Sequence, residues 1–246
     1  MLPPTFKNFL LTCSMDFSVR SYDKELLDQD DIPFTDLEQN MRELNIINTW
    51  LGGHHVTLRG FTKLIGDKKK ITVCEIGCGG GDNLLSIQHW CCKKNINAKL
   101  IGIDINPGCI AVAVSKFKSP NAEFLTSDFR LIIFANEKPD ILFSSLFCHH
   151  FTDVELISMF QWMKSNSKLG FFINDLHRHP IAYYSIKWIT RIFSKSYLVK
   201  NDAPLSVLRG FKKKEWRLLF TQADIDYYKL KWNWAFRWLI FYKKNE

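Results

Sequence analysis

The stretch Val73-Cys74-Glu75-Ile76-Gly77-Cys78-Gly79-Gly80-Gly81-Asp82-Asn83-Leu84 decides the fold. It places a short buried strand, a glycine-rich turn and the start of a helix in direct succession. Glycines let the backbone approach a ligand closely, and the helix beginning behind them offers N–H groups without intrahelical partners. A nucleotide-shaped ligand is implied. A dinucleotide fingerprint counted from Gly77 and Gly79 needs its third glycine at position 82, where Asp82 stands instead. An acid beside a pyrophosphate is unfavourable, so the turn suits a ligand without phosphates, and Glu75 at the strand end suits a positive group.

Outward from this turn, strands and helices alternate. Strands are expected at Ile71–Ile76, Lys99–Ile105, Glu123–Thr126, Asp140–Ser144 and Leu169–Asn174, with helices at Asp82–Lys93, Cys109–Phe117 and Asp153–Lys164. Such alternation predicts an α/β fold, a Rossmann-like and mostly parallel sheet with helices on both faces. After helical stretches at Pro180–Phe193 and Lys212–Gln222, the segments Asp226–Trp234 and Phe236–Lys243 alternate large apolar and polar residues. They read as an antiparallel hairpin closing the sheet, with Trp232, Trp234, Trp238 and Ile240 on a common inward face. Upstream, Leu37, Met41, Leu44, Ile47, Trp50 and Leu51 recur at helical intervals, and a second helix is expected from Val56 to Ile65. The chain therefore divides into a helical lid and substrate-binding segment, 1–69, and a core, 70–246, with a helical insert at about 180–211.

Composition bounds the function. The chain has 246 residues, 46% of them hydrophobic and 24% charged, enough for one globular domain and too short for two catalytic ones. No apolar run is long enough to span a bilayer. The net charge of +8 is uneven: 15 Lys and Arg face 5 Asp and Glu in Arg178–Glu246, whereas 18 face 20 before it. The stretch Asp16–Glu43 is acidic, with nine acids against three bases. Seven cysteines without paired spacing fit reduced thiols and a cytoplasmic location better than disulfides or a zinc framework. Leu10-Leu11-Thr12-Cys13 has the outline of a lipoprotein box but lacks the apolar core of a signal, and Met15 is an alternative start.

Two further strand ends carry acids. Leu100-Ile101-Gly102-Ile103-Asp104-Ile105 ends in Asp104, 23 residues after Gly81, the place where a carboxylate accepts both hydroxyls of a ribose. Phe124-Leu125-Thr126-Ser127-Asp128-Phe129 puts Asp128 where it can accept from an adenine amino group, with Phe129 or a neighbour covering the ring. In the Glu75 to Gly81 turn, Asp104, Ser127-Asp128 and the closing hairpin, the chain resembles class I S-adenosylmethionine-dependent methyltransferases over about Lys70 to Lys243. The resemblance implies a seven-stranded sheet with its last strand antiparallel. It also implies S-adenosylmethionine as cofactor, with Glu75 near its methionine part, Asp104 on the ribose and Asp128 at the adenine. The cofactor set is thus Glu75, Gly77, Gly79, Gly81, Asn83, Asp104, Ile105, Asp128, Phe129 and Ser144.

The fourth strand is followed by Ser145-Leu146-Phe147-Cys148-His149-His150-Phe151-Thr152-Asp153. Methyl transfer from a sulfonium needs in-line placement and a nucleophile stripped of its proton. A phenol or enol can lose its proton to an imidazole, so His149 and His150 are the candidate catalytic bases. The alternative makes them polar packing at the entrance of a helix capped by Thr152 or Asp153. His177 and His179 lie on the same rim, but no short-range ligand spacing supports a metal. Amino-methylating enzymes of nucleic acids that resemble this class carry an Asp/Asn/Ser-Pro-Pro-aromatic tetrapeptide where Ser144-Ser145-Leu146-Phe147 stands, which argues against base methylation. In Glu25–Asp28, Asn48–Gly53, Ser145–Thr152 and Asp202–Phe211 the chain is similar to small-molecule methyltransferases of the ubiquinone and menaquinone type. That similarity implies a small apolar, phenolic or quinone-like acceptor methylated on oxygen or carbon.

The insert presents Tyr183, Tyr184, Trp188, Ile189, Ile192 and Phe193 beside Lys187, Arg191 and Lys195. A helix of this kind is ordinarily a core helix with a solvated side, and its other use is at a membrane surface. Peripheral membrane docking is the favoured use of the basic tail, because a quinone-like acceptor resides in a bilayer. RNA is the rival, since Lys212–Lys214 and Lys229, Lys231, Arg237 and Lys243 interleave with tryptophans, but sheet burial explains that pattern more simply. An RNA methyltransferase and a non-catalytic cofactor-binding regulator are the alternative functions.

Overall fold

The computed structural model describes residues 15–29, 31–134 and 137–244, so the Cys13 box lies outside the described residues. Seven strands form one sheet: β1 (Lys70–Ile76), β2 (Asn97–Asp104), β3 (Ala122–Thr126), β4 (Ile141–Ser145), β5 (Gly170–Leu176), β6 (Tyr228–Asn233) and β7 (Arg237–Lys243). Their order is β3-β2-β1-β4-β5-β7-β6. Neighbours pair in parallel from β3 across to β5, and β7 runs antiparallel to both β5 and β6. The order reverses between β1 and β4, and the crevice beyond their carboxyl ends is where an open α/β sheet binds ligands.

Among the described residues eight α-helices accompany the sheet: α1 (Phe34–Trp50), α2 (Gly53–Leu64), α3 (Asp82–Lys93), α4 (Pro107–Lys116), α5 (Asp153–Asn166), α6 (Pro180–Phe193), α7 (Tyr197–Arg209) and α8 (Lys213–Gln222). Side chains alternate along each strand, so the sheet divides the core in two. On one face Leu142, Phe171 and Ile173 meet Phe160 of α5 and Trp216 and Phe220 of α8. On the other, Ile141, Phe143 and Phe172 meet Val56, Phe61 and Leu64 of α2 and Leu84 and Ile87 of α3. Phe143 and Phe172 stack with centroids 4.7 Å apart. Gly60 makes this layer close-packed: a Cβ there would lie 2.5 Å from the Phe172 ring. Helix α2 therefore belongs to the sheet's own layer, and the segment 1–69 is not wholly a lid.

Local chemistry sets the helix starts. Asn106 accepts from the amides of Gly108 and Cys109, with Pro107 at the first helical position of α4. Thr152 and Glu155 form a reciprocal capping box on α5. Helix α7 falls within the helical insert expected at about 180–211, but the sequence does not delimit it as a helix of its own: Pro204 sits inside it, and proline argues against a helix interior. The hairpin forms where expected, but its inward face is smaller. Trp238 and Ile240 are buried, whereas Trp232 and Trp234 are 47% and 69% exposed, because they lie at the end of the edge strand and in its turn, past Tyr228 and Leu230, which pack against the core. The six cysteines among the described residues are unpaired.

Candidate active site

The turn after β1 is shaped by positive φ at Gly77, Gly79 and Gly81. Gly77 is further required by close approach, since a Cβ there would fall 2.1 Å from the ring of Phe147. Beneath the turn Glu75 is fully buried. Its Oε1 accepts from Nδ2 of Asn83 at 2.9 Å, and its Oε2 has no partner among the described residues. Burial pushes this carboxyl well above the usual carboxylate range, opposed by the Asn83 bond and reinforced by Asp82 and Asp104. A buried carboxyl oxygen without a donor is costly unless a ligand supplies one. Asn83 is itself fixed by Thr57 and His54 of α2, which lie 3.2 and 2.9 Å from its Oδ1.

Asp104 ends β2 beside this turn. Gly79 N donates to its Oδ2 at 2.8 Å and Asn106 N to its Oδ1 at 2.9 Å. Each oxygen keeps a second lone pair, so the carboxylate is positioned and still able to accept two hydroxyls. Burial raises its pKa, opposed by the two amides and by the charge of His150. Ile105, the next residue, is 71% exposed and offers an apolar face beside the carboxylate.

Three candidates of the cofactor set are occupied otherwise. Asp128 caps the turn at Phe129–Leu131 and is gripped by the Arg130 guanidinium, whose Nε lies 3.0 and 2.9 Å from its two oxygens. Phe129 does not face the crevice: it is buried edge-on against Phe147, Phe151 and Trp162, because the capped turn folds its ring inward. Ser144 is fully buried with its hydroxyl 3.4 Å from the Cys148 thiol, since strand alternation aims it away from the glycine turn.

The two histidines differ. His149 is buried, with Nδ1 2.8 Å from Asp175 Oδ1 and Nε2 3.5 Å from Glu25 Oε1. Burial opposes its charge, but the charge and hydrogen bond of Asp175 and the nearby Glu25 outweigh burial and raise its pKa to about 9. His150, with 21% of its side chain exposed, is the member that reaches the surface of the crevice. Its Nε2 lies 3.8 Å from Glu25 Oε2 and its Nδ1 3.3 Å from Asp28 Oδ1. His177 and His179 do not join them: they stack beside Phe236, and Trp232 Nε1 donates to His177 Nδ1.

Asp175 organises this corner. Its Oδ2 accepts from the amides of Phe147 and Cys148 at 3.2 and 2.8 Å, holding the loop after β4 against the end of β5. Glu25 comes from the leader, where Asp202 of α7 accepts from the amides of Leu26 and Leu27, and Ser206 donates to Glu25. Thus two segments far apart in sequence, Glu25–Asp28 and Asp202–Phe211, meet at one site. Three buried arginines staple the leader down. Arg20 donates to the carbonyls of Arg209 and Phe151, Arg209 to those of His149 and Asp23, and Arg178 to those of Phe17 and Ser18. Sequence reasoning passed over Asp175, although it is one more acid at a strand end. Glu25 carried no local signal beyond the family likeness.

The comparisons agree with this architecture. Residues 73–170 match the family model described as a methyltransferase domain. Among solved structures, the plantazolicin methyltransferase BpumL in complex with SAH is similar at TM-score 0.63 and 18% identity, over 87% of this chain and 89% of that one. Human N-acetylserotonin methyltransferase in complex with SAM is similar at TM-score 0.60 and 16% identity, over 87% of this chain and 57% of that one. A putative O-methyltransferase from Nostoc punctiforme follows at TM-score 0.57 and 14% identity, over 83% of this chain and 60% of that one. No curated protein matches the sequence. The fold is that of the class I methyltransferases, a Rossmann-like sheet closed by an antiparallel strand.

Proposed function

We propose that this chain is an S-adenosylmethionine-dependent methyltransferase acting on oxygen or carbon of a small apolar acceptor of phenolic or quinone-like chemistry. The observation that carries the cofactor half is the unpartnered, buried Glu75 oxygen under the glycine turn, with the half-satisfied Asp104 carboxylate one strand over. Glu75 suits the cationic methionine part, Asp104 the ribose hydroxyls and Ile105 one face of the adenine. The bound cofactor supplies an electrophilic methyl on a sulfonium. The chain's own residues position the acceptor and take its proton, and that second task falls to the cluster of Glu25, His149 and His150, with His150 on the crevice side. Since the His149 ring is buried with its two nitrogens facing the carboxylates of Asp175 and Glu25, it serves better as an orienting group than as the first proton acceptor.

Calorimetry with S-adenosylhomocysteine tests this reading. One equivalent should bind, NAD should not, and tight NAD binding would overturn it. His150→Ala should leave that binding intact and slow turnover with a phenolic acceptor.

The acceptor's apolar character finds support outside the site. Helix α6 buries Ala182, Tyr183, Ile186 and Thr190, while Ile181, Tyr184, Trp188 and Ile192 on its other side are 61%, 50%, 66% and 62% exposed. That spacing makes one apolar stripe, with Lys187 and Arg191 among it. An amphipathic surface of aromatic and basic residues matches the boundary of an anionic bilayer. The chain would thus dock at a membrane where an apolar acceptor dissolves. Among the described residues no helix is long and apolar enough to cross one.

A further inference from the structure

The corner around His149 and His150 is built like a metal centre. One ring nitrogen each of His149 and His150 and a carboxylate oxygen of Glu25 all lie within 4.8 Å of one another. Glu25 faces both imidazoles, its Oε1 3.5 Å from Nε2 of His149 and its Oε2 3.8 Å from Nε2 of His150. These separations are long for hydrogen bonds, whose usual N···O range is about 2.7–3.2 Å. They are close to the spacing of about 3.3 Å between neighbouring ligand atoms on a tetrahedral ion with bonds of about 2.0–2.1 Å. The opposite nitrogen of each ring supplies a second, independent observation. Nδ1 of His149 is 2.8 Å from Asp175, and Nδ1 of His150 is 3.3 Å from Asp28. Histidines that ligate metal through one nitrogen commonly donate the other N–H to a carboxylate, which fixes the ring and raises its basicity. His149 has that arrangement, the Asp28 carboxylate lies beside the outer nitrogen of His150, and Ser206 donates to the third candidate ligand, Glu25, at 2.7 Å.

We propose that Glu25, His149 and His150 bind one divalent first-row cation of the zinc type, leaving coordination positions open on the crevice side. Two imidazoles and a carboxylate suit zinc, iron(II), cobalt(II) or manganese, and three protein ligands leave room for an oxygen of the acceptor. The inference rests on the methyltransferase reading for the identity of that oxygen, not for the cation site itself. A hydroxyl or enol bound there would ionise more readily, the service otherwise asked of an imidazole.

The test uses the full chain, freed of metal with a chelator and titrated calorimetrically with Zn²⁺. A Cys92→Ser background removes the exposed thiol, and S-adenosylhomocysteine binding is measured in parallel. One equivalent of zinc is expected, with affinity falling at least 100-fold in His150→Ala and about 10–100-fold in Asp175→Asn, as for removal of an outer carboxylate. Cobalt(II) should give visible bands without thiolate charge transfer. A chain that binds S-adenosylhomocysteine but no zinc overturns the metal centre and leaves the methyltransferase reading standing. Zinc bound equally by wild type, His150→Ala and Glu25→Gln also overturns it. Zinc binding without S-adenosylhomocysteine binding would keep the metal centre and sink the cofactor assignment.

Discussion

Asn83 donates a hydrogen bond to one carboxyl oxygen of Glu75 at 2.9 Å and leaves the other, also buried, with no donor among the described residues. The free chain therefore holds a carboxyl whose pKa burial raises. A raised folded-state value means that folding is favoured while the group is protonated, and stability is lost as pH rises above the unfolded value of about 4.3. Glu75→Gln should remove that cost. Urea denaturation should find the variant more stable than wild type by about 1–3 kcal/mol at pH 8, with a smaller gain at pH 5. Its affinity for S-adenosylmethionine should fall. A variant less stable at both pH values contradicts this.

Asp104→Ala deletes the proposed ribose acceptor together with the two amide contacts that shape the glycine turn. Binding of S-adenosylhomocysteine should weaken by about 3 kcal/mol or more, the scale of hydrogen bonds to a charged group. Calorimetry reads this directly, and unchanged affinity would remove Asp104 from the cofactor site.

His177 moves in the opposite direction from His149. Burial, then the charges of His179, Arg178 and Lys212, lower its pKa to about 4. A depressed histidine favours folding while neutral, so its contribution is full above the unfolded value near 6.5 and is lost as pH falls toward 4. His177→Gln should flatten the fall in unfolding free energy between pH 6.5 and 4. A slope identical to wild type rules the assignment out.

Trp188→Ser removes the most exposed aromatic residue of the α6 stripe, 66% exposed. Sedimentation with vesicles of anionic phospholipid should show weaker binding than wild type, with fold and cofactor affinity unchanged. A salt-sensitive gel shift with RNA and no vesicle binding would favour the RNA reading.

The strands and most helices were legible because their signals are local. The glycine turn, the acids at the ends of β1 and β2 and the alternation of the closing hairpin each lie within about a dozen residues. Helix α7 was hidden by Pro204, a residue that local rules count against a helix. The partners of His149 were hidden for another reason. Glu25 and Asp175 reach it from 124 residues before and 26 residues after it, and such meetings are decided by tertiary topology. Phe129 and Ser144 turn inward, which was not legible, because position after a strand fixes a backbone locus while one step of side-chain alternation decides which way the group faces. Trp232 and Trp234 are exposed for a related reason: alternation marks a face but does not say how far along the strand the covering layer extends.

Arg20, Arg178 and Arg209 clasp the leader against parts of the chain made much later. During synthesis, residues 17–28 consequently gain their full set of contacts only once the polypeptide has grown past Arg209. The corner with its paired imidazoles is closed only by the last third of the molecule, so any product cut short before that point carries the glycine turn without the means to finish what it binds.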